Sequence, residues 1–185
     1  MSLGASFDQI IAGAKAGAPW ALEALYLDTH PRLLRYLTAQ APDVGEDLAS
    51  DTWLGVAGAL PAFDGQENDF RALVFTVAKR RLLDHRRRAS RRRTDPVDPD
   101  LLAGLGPNGD AEDDALDRVS TGWALDQIAA LPPDQREVIL LRVVADLAVD
   151  EVAAIVGKRP GAVRALQLRG LRRLARHVPK EAVTR

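Results

Sequence analysis

Apolar residues recur along this chain at intervals of three and four, and almost nowhere in alternation. That spacing gathers them on one side of a helix rather than one face of a strand. Phe7, Ile10, Ile11 and Ala14 define a first short helix. A second starts near Pro19 and carries Leu22, Leu25, Tyr26, Leu33, Leu34 and Leu37. Pro31 lies inside it and predicts a kink or a split, because proline removes a backbone donor and crowds the preceding turn. A third helix spans about Gly45 to Leu60, with Leu48, Thr52, Val56 and Ala59 on one stripe. The polar loop Pro61–Asp69 follows, with Asp64-Gly65 as a turn signal. A fourth helix starts near Asp69, buries Phe70, Leu73, Val74 and Val77, and ends in arginines. From about Thr121 the pattern resumes with Trp123, Leu125, Ile128 and Leu131, stops at Pro132-Pro133, and continues with Val138, Ile139, Leu141 and Val143.

The last two helices form the most informative stretch. Asp150 and Glu151 stand in a first turn, where the helix dipole favours negative charge. Val152, Ile155 and Val156 keep helical spacing, Gly157 can take the left-handed conformation that ends a helix, and Pro160 suits the first turn of the next. From Lys158 to Arg176 there are seven basic residues and no acidic one. A basic helix behind a short glycine-containing turn is the pattern of a DNA-reading helix-turn-helix. An ordinary helical hairpin with a basic solvated face has the same local pattern, so the rest of the chain has to decide.

The charge distribution does. Net charge is −1 over 185 residues, so the basic helix does not follow from a generally basic protein. Lys79 to Arg93 holds nine basic residues against Asp84, Thr94 to Ser120 holds eight acidic residues against Arg118, and then the C-terminal basic block follows. Two basic patches on either side of an acidic segment suggest two contacts with a polyanion. The acidic segment also holds Pro96, Pro99, Pro107, Gly104, Gly106 and Gly109, a composition that reads as linker. The expected fold class is all-α: two small helical domains joined by an acidic flexible linker, the second ending in a helix-turn-helix. The expected boundaries are 1–90, linker 91–120, 121–178 and a tail 179–185, with four helices before the linker and four after it. The linker's acids are expected to fold back on the basic patches as a salt-sensitive latch.

Other chemistry finds little support. There is no cysteine, which removes disulfides, thiolate metal sites and a cysteine nucleophile. His30, His85 and His177 are far apart, no phosphate-binding glycine loop occurs, and Glu112-Asp113-Asp114 lies in a Gly/Pro-rich acidic stretch where carboxylates are solvated. No enzyme activity, metal, cofactor or small-molecule substrate is expected. No apolar run approaches the roughly 18 residues of a membrane span and no signal pattern opens the chain. A cytoplasmic protein without direct membrane insertion is expected.

Three motifs in order resemble the extracytoplasmic-function (ECF) sigma factors, the compact group with only the second and fourth conserved sigma domains. Gly45-Glu46-Asp47-Leu48-Ala49-Ser50-Asp51-Thr52-Trp53 is similar to the family's "AEDLxQExF" helix. Phe70-Arg71-Ala72-Leu73 through Asp84-His85-Arg86-Arg87-Arg88 is similar to "FRxWLxxIARNxxxDxxRR". Leu131-Pro132-Pro133-Asp134-Gln135-Arg136-Glu137-Val138 is similar to the "LPxxQREV" opening of domain four. The resemblance implies promoter recognition for RNA polymerase, with core RNA polymerase and promoter DNA as partners and an anti-sigma factor as a candidate third. It implies a polymerase-binding face at Asp47, Leu48, Ser50, Asp51 and Trp53. A minus-ten DNA surface is implied at Phe63, Gln66, Asn68, Phe70, Arg71, Lys79, Arg80 and Arg87, where aromatic and amide groups suit an extruded base and cations suit phosphate. A minus-thirty-five surface is implied at Arg159, Gly161, Arg164, Ala165, Leu168, Arg169, Arg172 and Arg173; Arg164 can read a guanine edge, and Ala165 or Leu168 a thymine methyl.

For Trp53 and Phe70 a core position is an equal or better reading, and Leu168 also suits a surface that an anti-sigma factor covers. The chain departs from the family at Ser50, Asp51, Trp53 and Arg80. Ala148 and Arg159 stand where a serine usually caps a helix, so fraying is expected at those two starts. The residues alone leave two rivals: a free-standing helix-turn-helix regulator that binds duplex DNA without polymerase, and a structural nucleic-acid-binding protein that reads no sequence.

Overall fold

The computed structural model describes residues 3–94 and 115–176, and every regular element among them is helical. Helix α1 (Phe7–Lys15), α2 (Pro19–Thr38), α3 (Gly45–Ala59) and α4 (Glu67–Thr94) form the N-terminal unit. Helices α5 (Ala115–Ala129), α6 (Pro133–Ile139), α7 (Val149–Val156) and α8 (Pro160–Ala175) form the C-terminal unit. The expected charge latch of the acidic linker falls on residues 95–114, outside the described residues.

Pro19 opens α2 at its first position, where its missing N–H would be unpaired anyway. Pro31 does not split the helix, which continues to Thr38. The proline is exposed, and Leu25, Thr29, Leu33, Tyr36 and Leu37 on the opposite side are all buried. The unbonded carbonyl therefore falls on the solvent side, and the burial of a whole stripe outweighs one missing backbone bond.

The N-terminal core is built from Leu25, Leu33, Tyr36 and Leu37 of α2, Val56 of α3 and Phe70, Val74, Phe75, Ala78 and Leu82 of α4. Tyr36 meets Phe75 edge-on, with centroids 5.4 Å apart. Burial, and then the nearby Glu137 carboxylate, hold the Tyr36 phenol well above its ordinary pKa.

The C-terminal core gathers Ile128, Leu131, Val138, Ile139, Leu140, Leu141, Leu147, Val152, Val163 and Leu166. One turn of π-helix, Leu140–Val144, continues α6; with it, the four consecutive residues Val138 to Leu141 are all buried. Gly157 closes α7 at φ 66, and Lys158 N donates to Ala153 O at 3.0 Å, the bond of a Schellman cap. Ala148 has no side chain to cap α7, yet its backbone N donates to Glu151 Oε2 at 2.5 Å. The start of α7 is therefore held from its third residue, which corrects the expectation of fraying there. At Arg159 no side-chain cap exists, and Pro160 fixes the start of α8 instead.

The two units touch. Helix α4 packs against α7, and α2 packs against the π-helical turn.

Candidate polymerase and nucleic-acid interfaces

Helix α3 divides cleanly. Leu48, Ala49, Thr52 and Val56 are buried, whereas Glu46, Asp47, Ser50, Asp51, Leu54, Ala57 and Gly58 are exposed. Asp47 and Asp51 stand one turn apart on the exposed stripe, as their four-residue spacing dictates. Leu48, expected at the polymerase face, is 6% exposed; it faces the core, and its assignment to the interface is corrected. Leu54 is the large apolar side chain that α3 exposes instead. It is 72% exposed, seven residues after Asp47 and on the same stripe, a position that the helical period alone could have revealed.

Trp53 is half-buried. Its Nε1 donates to His30 Nδ1 at 3.2 Å, and the Tyr26 ring lies 5.2 Å from it and stacks on His30 at 4.3 Å. Burial lowers the His30 pKa from 6.5, with Glu46 opposing the shift. Trp53 thus forms a wall of an apolar cleft of about 360 Å³ between α2 and α3, together with Leu22, Tyr26 and Leu60.

The loop before α4 is fixed by Asp69, whose Oδ2 accepts from Gln66 N at 2.8 Å. Gln66 and Asn68 are exposed and Phe63 is half-buried. Phe63 meets Phe70 edge-on at 5.8 Å. Phe70 itself is 1% exposed and also contacts Phe7, so it closes the core and cannot stack a base; its assignment to the DNA surface is corrected. Arg71 is buried too. It pairs with Glu67, one helical turn back, and its Nη1 lies 3.5 Å from Asp146 Oδ2. Glu67 in turn accepts from the backbone of Leu3 and Gly4 at 3.2 and 2.8 Å. Lys79 Nζ lies 2.7 Å from Glu137 Oε1. Further along α4, Arg80 and Arg87 are exposed, the latter 3.8 Å from Asp84.

On α8, Val163, Leu166 and Gly170 are buried. A Cβ on Gly170 would lie 2.8 Å from Ile139 Cγ1, so glycine permits the close approach of α8 to α6. Arg142 braces the motif: its guanidinium donates to Leu147 O, and its Nε donates to Gln167 Oε1 at 3.3 Å. The opposite side of α8 presents Gly161, Arg164, Ala165, Leu168, Arg169, Arg172 and Arg173 to solvent, with Arg159 just before it. Leu168 is 49% exposed.

Two helical units, the second a helix-turn-helix with an arginine-rich outer face, define a nucleic-acid-binding protein. Residues 25–92 match the model of Sigma-70 region 2, and residues 121–174 match that of Sigma-70 region 4. The chain belongs to the family of ECF RNA polymerase sigma factors. It is 32% identical over 176 residues to the ECF RNA polymerase sigma factor BldN of Streptomyces coelicolor, spanning 94% of this chain and 66% of that one. It is 33% identical over 177 residues to the ECF RNA polymerase sigma factor SigD of Mycobacterium tuberculosis, spanning 92% and 83%. The fold is also that of the sigma factor RpoE of Bartonella quintana, solved with the anti-sigma factor NepR: TM-score 0.60, 20% identity, 88% of this chain and 98% of that one.

No helix among the described residues is long and apolar enough to cross a membrane.

Proposed function

We propose that this chain docks on core RNA polymerase through the exposed face of α3, with Asp47, Ser50 and Asp51 as its polar groups and Leu54 as its apolar anchor. Trp53 contributes the rim of the adjoining cleft. A large apolar side chain among carboxylates suits an interface better than a merely solvated face, since apolar anchors supply desolvated contact area and charge sets orientation. Phe63, Gln66 and Asn68 receive a minus-ten base. Lys79, Arg80 and Arg87 hold its backbone; Arg71, buried and paired with Glu67 of its own helix, is removed from the expected DNA surface. Arg159, Gly161, Arg164, Ala165, Leu168 and Arg169 meet the minus-thirty-five major groove, and Arg172 and Arg173 its phosphates. The domains divide between the end of α4 at Thr94 and the start of α5 at Ala115, inside the expected linker 91–120. The phosphodiester chemistry belongs to the polymerase; this chain acts in the cytoplasm and needs no cofactor. An anti-sigma factor is a candidate partner, as RpoE was solved with one.

The observation that carries this reading is the exposed Asp47–Asp51–Leu54 stripe on α3, in the segment matched to region 2. A free-standing DNA regulator has no use for such a face. Run-off transcription with purified core polymerase on genomic fragments tests it. Promoter-specific transcripts that need this chain are expected. Tight, sequence-specific duplex binding by the chain alone, unchanged by core enzyme, would establish the free-standing regulator instead.

A further inference from the structure

Near its end α4 runs Arg86-Arg87-Arg88-Ala89-Ser90, and three further arginines follow. Ser90 is exposed and stands one turn before Thr94, where the helix stops. Helix ends open locally at little cost, so another protein can reach this hydroxyl. Only Ser90 and Thr94, of all the serines and threonines in the chain, lie within two residues behind a run of three arginines. A kinase that selects substrates by positive charge finds its pattern here.

The surroundings distinguish Ser90. It lines a cavity of about 480 Å³ between the end of α4 and the segment that follows α2, together with Gln40, Asp43, His85 and Arg86. Arg86 stands one turn before Ser90, on the same side of the helix. Its Nη2 donates to Gln40 O at 3.4 Å and to Gln40 Oε1 at 3.3 Å. With its carbonyl oxygen on Arg86, the Gln40 amide leaves Nε2 buried and without a hydrogen-bond partner. A buried donor without an acceptor is uncommon. A guanidinium, an unused amide donor and an imidazole beside one hydroxyl are groups that take a phosphate. Against them stand Asp43 in the same lining and Asp84, 3.8 Å from Arg87. A phosphate group carries nearly twice the charge of either carboxylate and three acceptor oxygens, so it competes well for the arginines.

We propose that Ser90 is a phosphorylation site for an arginine-directed serine kinase, and that its phosphate, seated between Arg86 and the Gln40 amide, weakens the grip of α4 on promoter DNA. The kinase supplies a nucleoside triphosphate. Ser90 Oγ attacks the γ-phosphorus, the new Oγ–P bond replaces the bond to the departing nucleoside diphosphate, and the hydroxyl proton passes to a base of the kinase. The modification adds about 1.5–2 negative charges at pH 7. Arg86 and Arg87 lie within one turn of it, so the phosphate competes for them with the backbone of a bound strand. The site itself stands on the sequence and the cavity; its consequence rests on the reading of Arg80 and Arg87 as DNA contacts.

The test uses the full chain. Treated with a purified arginine-directed kinase and ATP, it should take up a phosphoryl group that peptide mass spectrometry places on Ser90. Ser90→Ala should lose that uptake. Equal uptake by Ser90→Ala, or none by the wild type, overturns the proposal. Phosphorus NMR then reports on the seat. The second pKa of the phosphate should fall below its ordinary value of about 6, and should return toward it in Gln40→Ala and in Arg86→Ala, which both keep Arg87 and Arg88 for the kinase to read. A value that neither substitution moves would place the phosphate in open solvent and overturn the seat. The modified chain should bind a fluorescent minus-ten single strand at least about tenfold more weakly at about 0.1 M salt. The slope of log affinity against log salt should flatten by roughly 1.4, the loss of two single-strand phosphate contacts. Equal binding by modified and unmodified chains overturns the switch. Core polymerase binding through α3 should not change; its loss would trace the effect to the fold and overturn the proposal as well. If the unmodified chain binds neither the strand nor core polymerase, the DNA and polymerase assignments fail, whatever the uptake at Ser90 shows.

Discussion

The basic surface of α4 and that of α8 have similar compositions but opposite situations. On α8, Arg164, Arg169 and Arg172 project into solvent from a helix whose other side is packed on α6. On α4, Arg71 and Lys79 are largely buried: Arg71 pairs with Glu67 of its own helix and approaches Asp146 of the other unit, and Lys79 pairs with Glu137. Charge alone therefore does not define a binding surface. The inner side of α8 packs on α6 and α7 of its own unit, and its arginines lie on the side left open to solvent. On α4, by contrast, two of the cations lie in intramolecular ion pairs, so their charge is already matched within the chain.

The largest expected effect separates support from contact within the N-terminal surface. Phe70→Ala should cost about 3–5 kcal/mol of stability, the usual loss for a fully buried aromatic. Phe63→Ala, at a half-buried site, should cost far less and instead weaken binding of minus-ten single strands. Thermal unfolding and oligonucleotide binding, measured on both variants, check the division. If Phe70→Ala proved nearly neutral in stability while abolishing strand binding, Phe70 would return to the DNA surface.

On the C-terminal side the corresponding support is Gly170. Gly170→Val should force α8 away from Ile139 at a cost of about 1–3 kcal/mol, typical of overpacking, and should abolish minus-thirty-five binding. Core polymerase should still bind, because α3 is untouched. Loss of both activities together would mean that the two units do not act independently.

Much of this organisation is legible in the sequence, and the reasons are local. The periods of three and four locate α1 to α4. Gly157 and Pro160 mark the turn of the helix-turn-helix, because a left-handed cap and a first-turn proline depend on single residues. The buried and exposed sides of α8 follow from about 100° per residue. The failures are non-local. Leu48 and Leu54 are chemically alike, and only the packing of α3 against its neighbours decides which one faces out. Phe70 looks like a stacking aromatic until Phe7 and Phe63 close around it. Ala148 looks like an absent cap until Glu151 reaches back to it. Glu137 and Asp146 lie 58 and 75 residues from their partners, so no local pattern connects them.

Two exposed residues sharpen the comparison at the level of binding. Leu54→Ala should weaken core polymerase binding by about 1–2 kcal/mol without lowering the melting temperature; unchanged affinity in a titration would leave the acidic residues to carry the contact alone. Arg164→Ala should cost about 1–3 kcal/mol and relax preference at one promoter position. Arg172→Ala should weaken all promoters alike and flatten the dependence on salt. Equal, sequence-blind losses from Arg164→Ala and Arg172→Ala would reduce Arg164 to a phosphate contact.

The smallest effect concerns His30, beside the polymerase face rather than in it. Its Nδ1 accepts a hydrogen bond from Trp53, which requires the unprotonated ring nitrogen. Burial lowers its pKa from 6.5 in the folded chain, so below that pH the unfolded chain binds protons more readily than the folded one. Stability then rises with pH across this window; it is fully present above pH 6.5 and is lost as the pH falls toward the lowered folded value. Thermal unfolding of wild type and His30→Gln, compared between pH 5 and 7.5, isolates this contribution because the other titrating groups cancel in the difference. The wild type should lose more stability than the variant on acidification. The Trp53 environment, followed by fluorescence, should change over the same range in the wild type alone. If both proteins show the same pH dependence, the Tyr26–His30–Trp53 cluster is a fixed wall of the α2–α3 cleft and does not respond to protons.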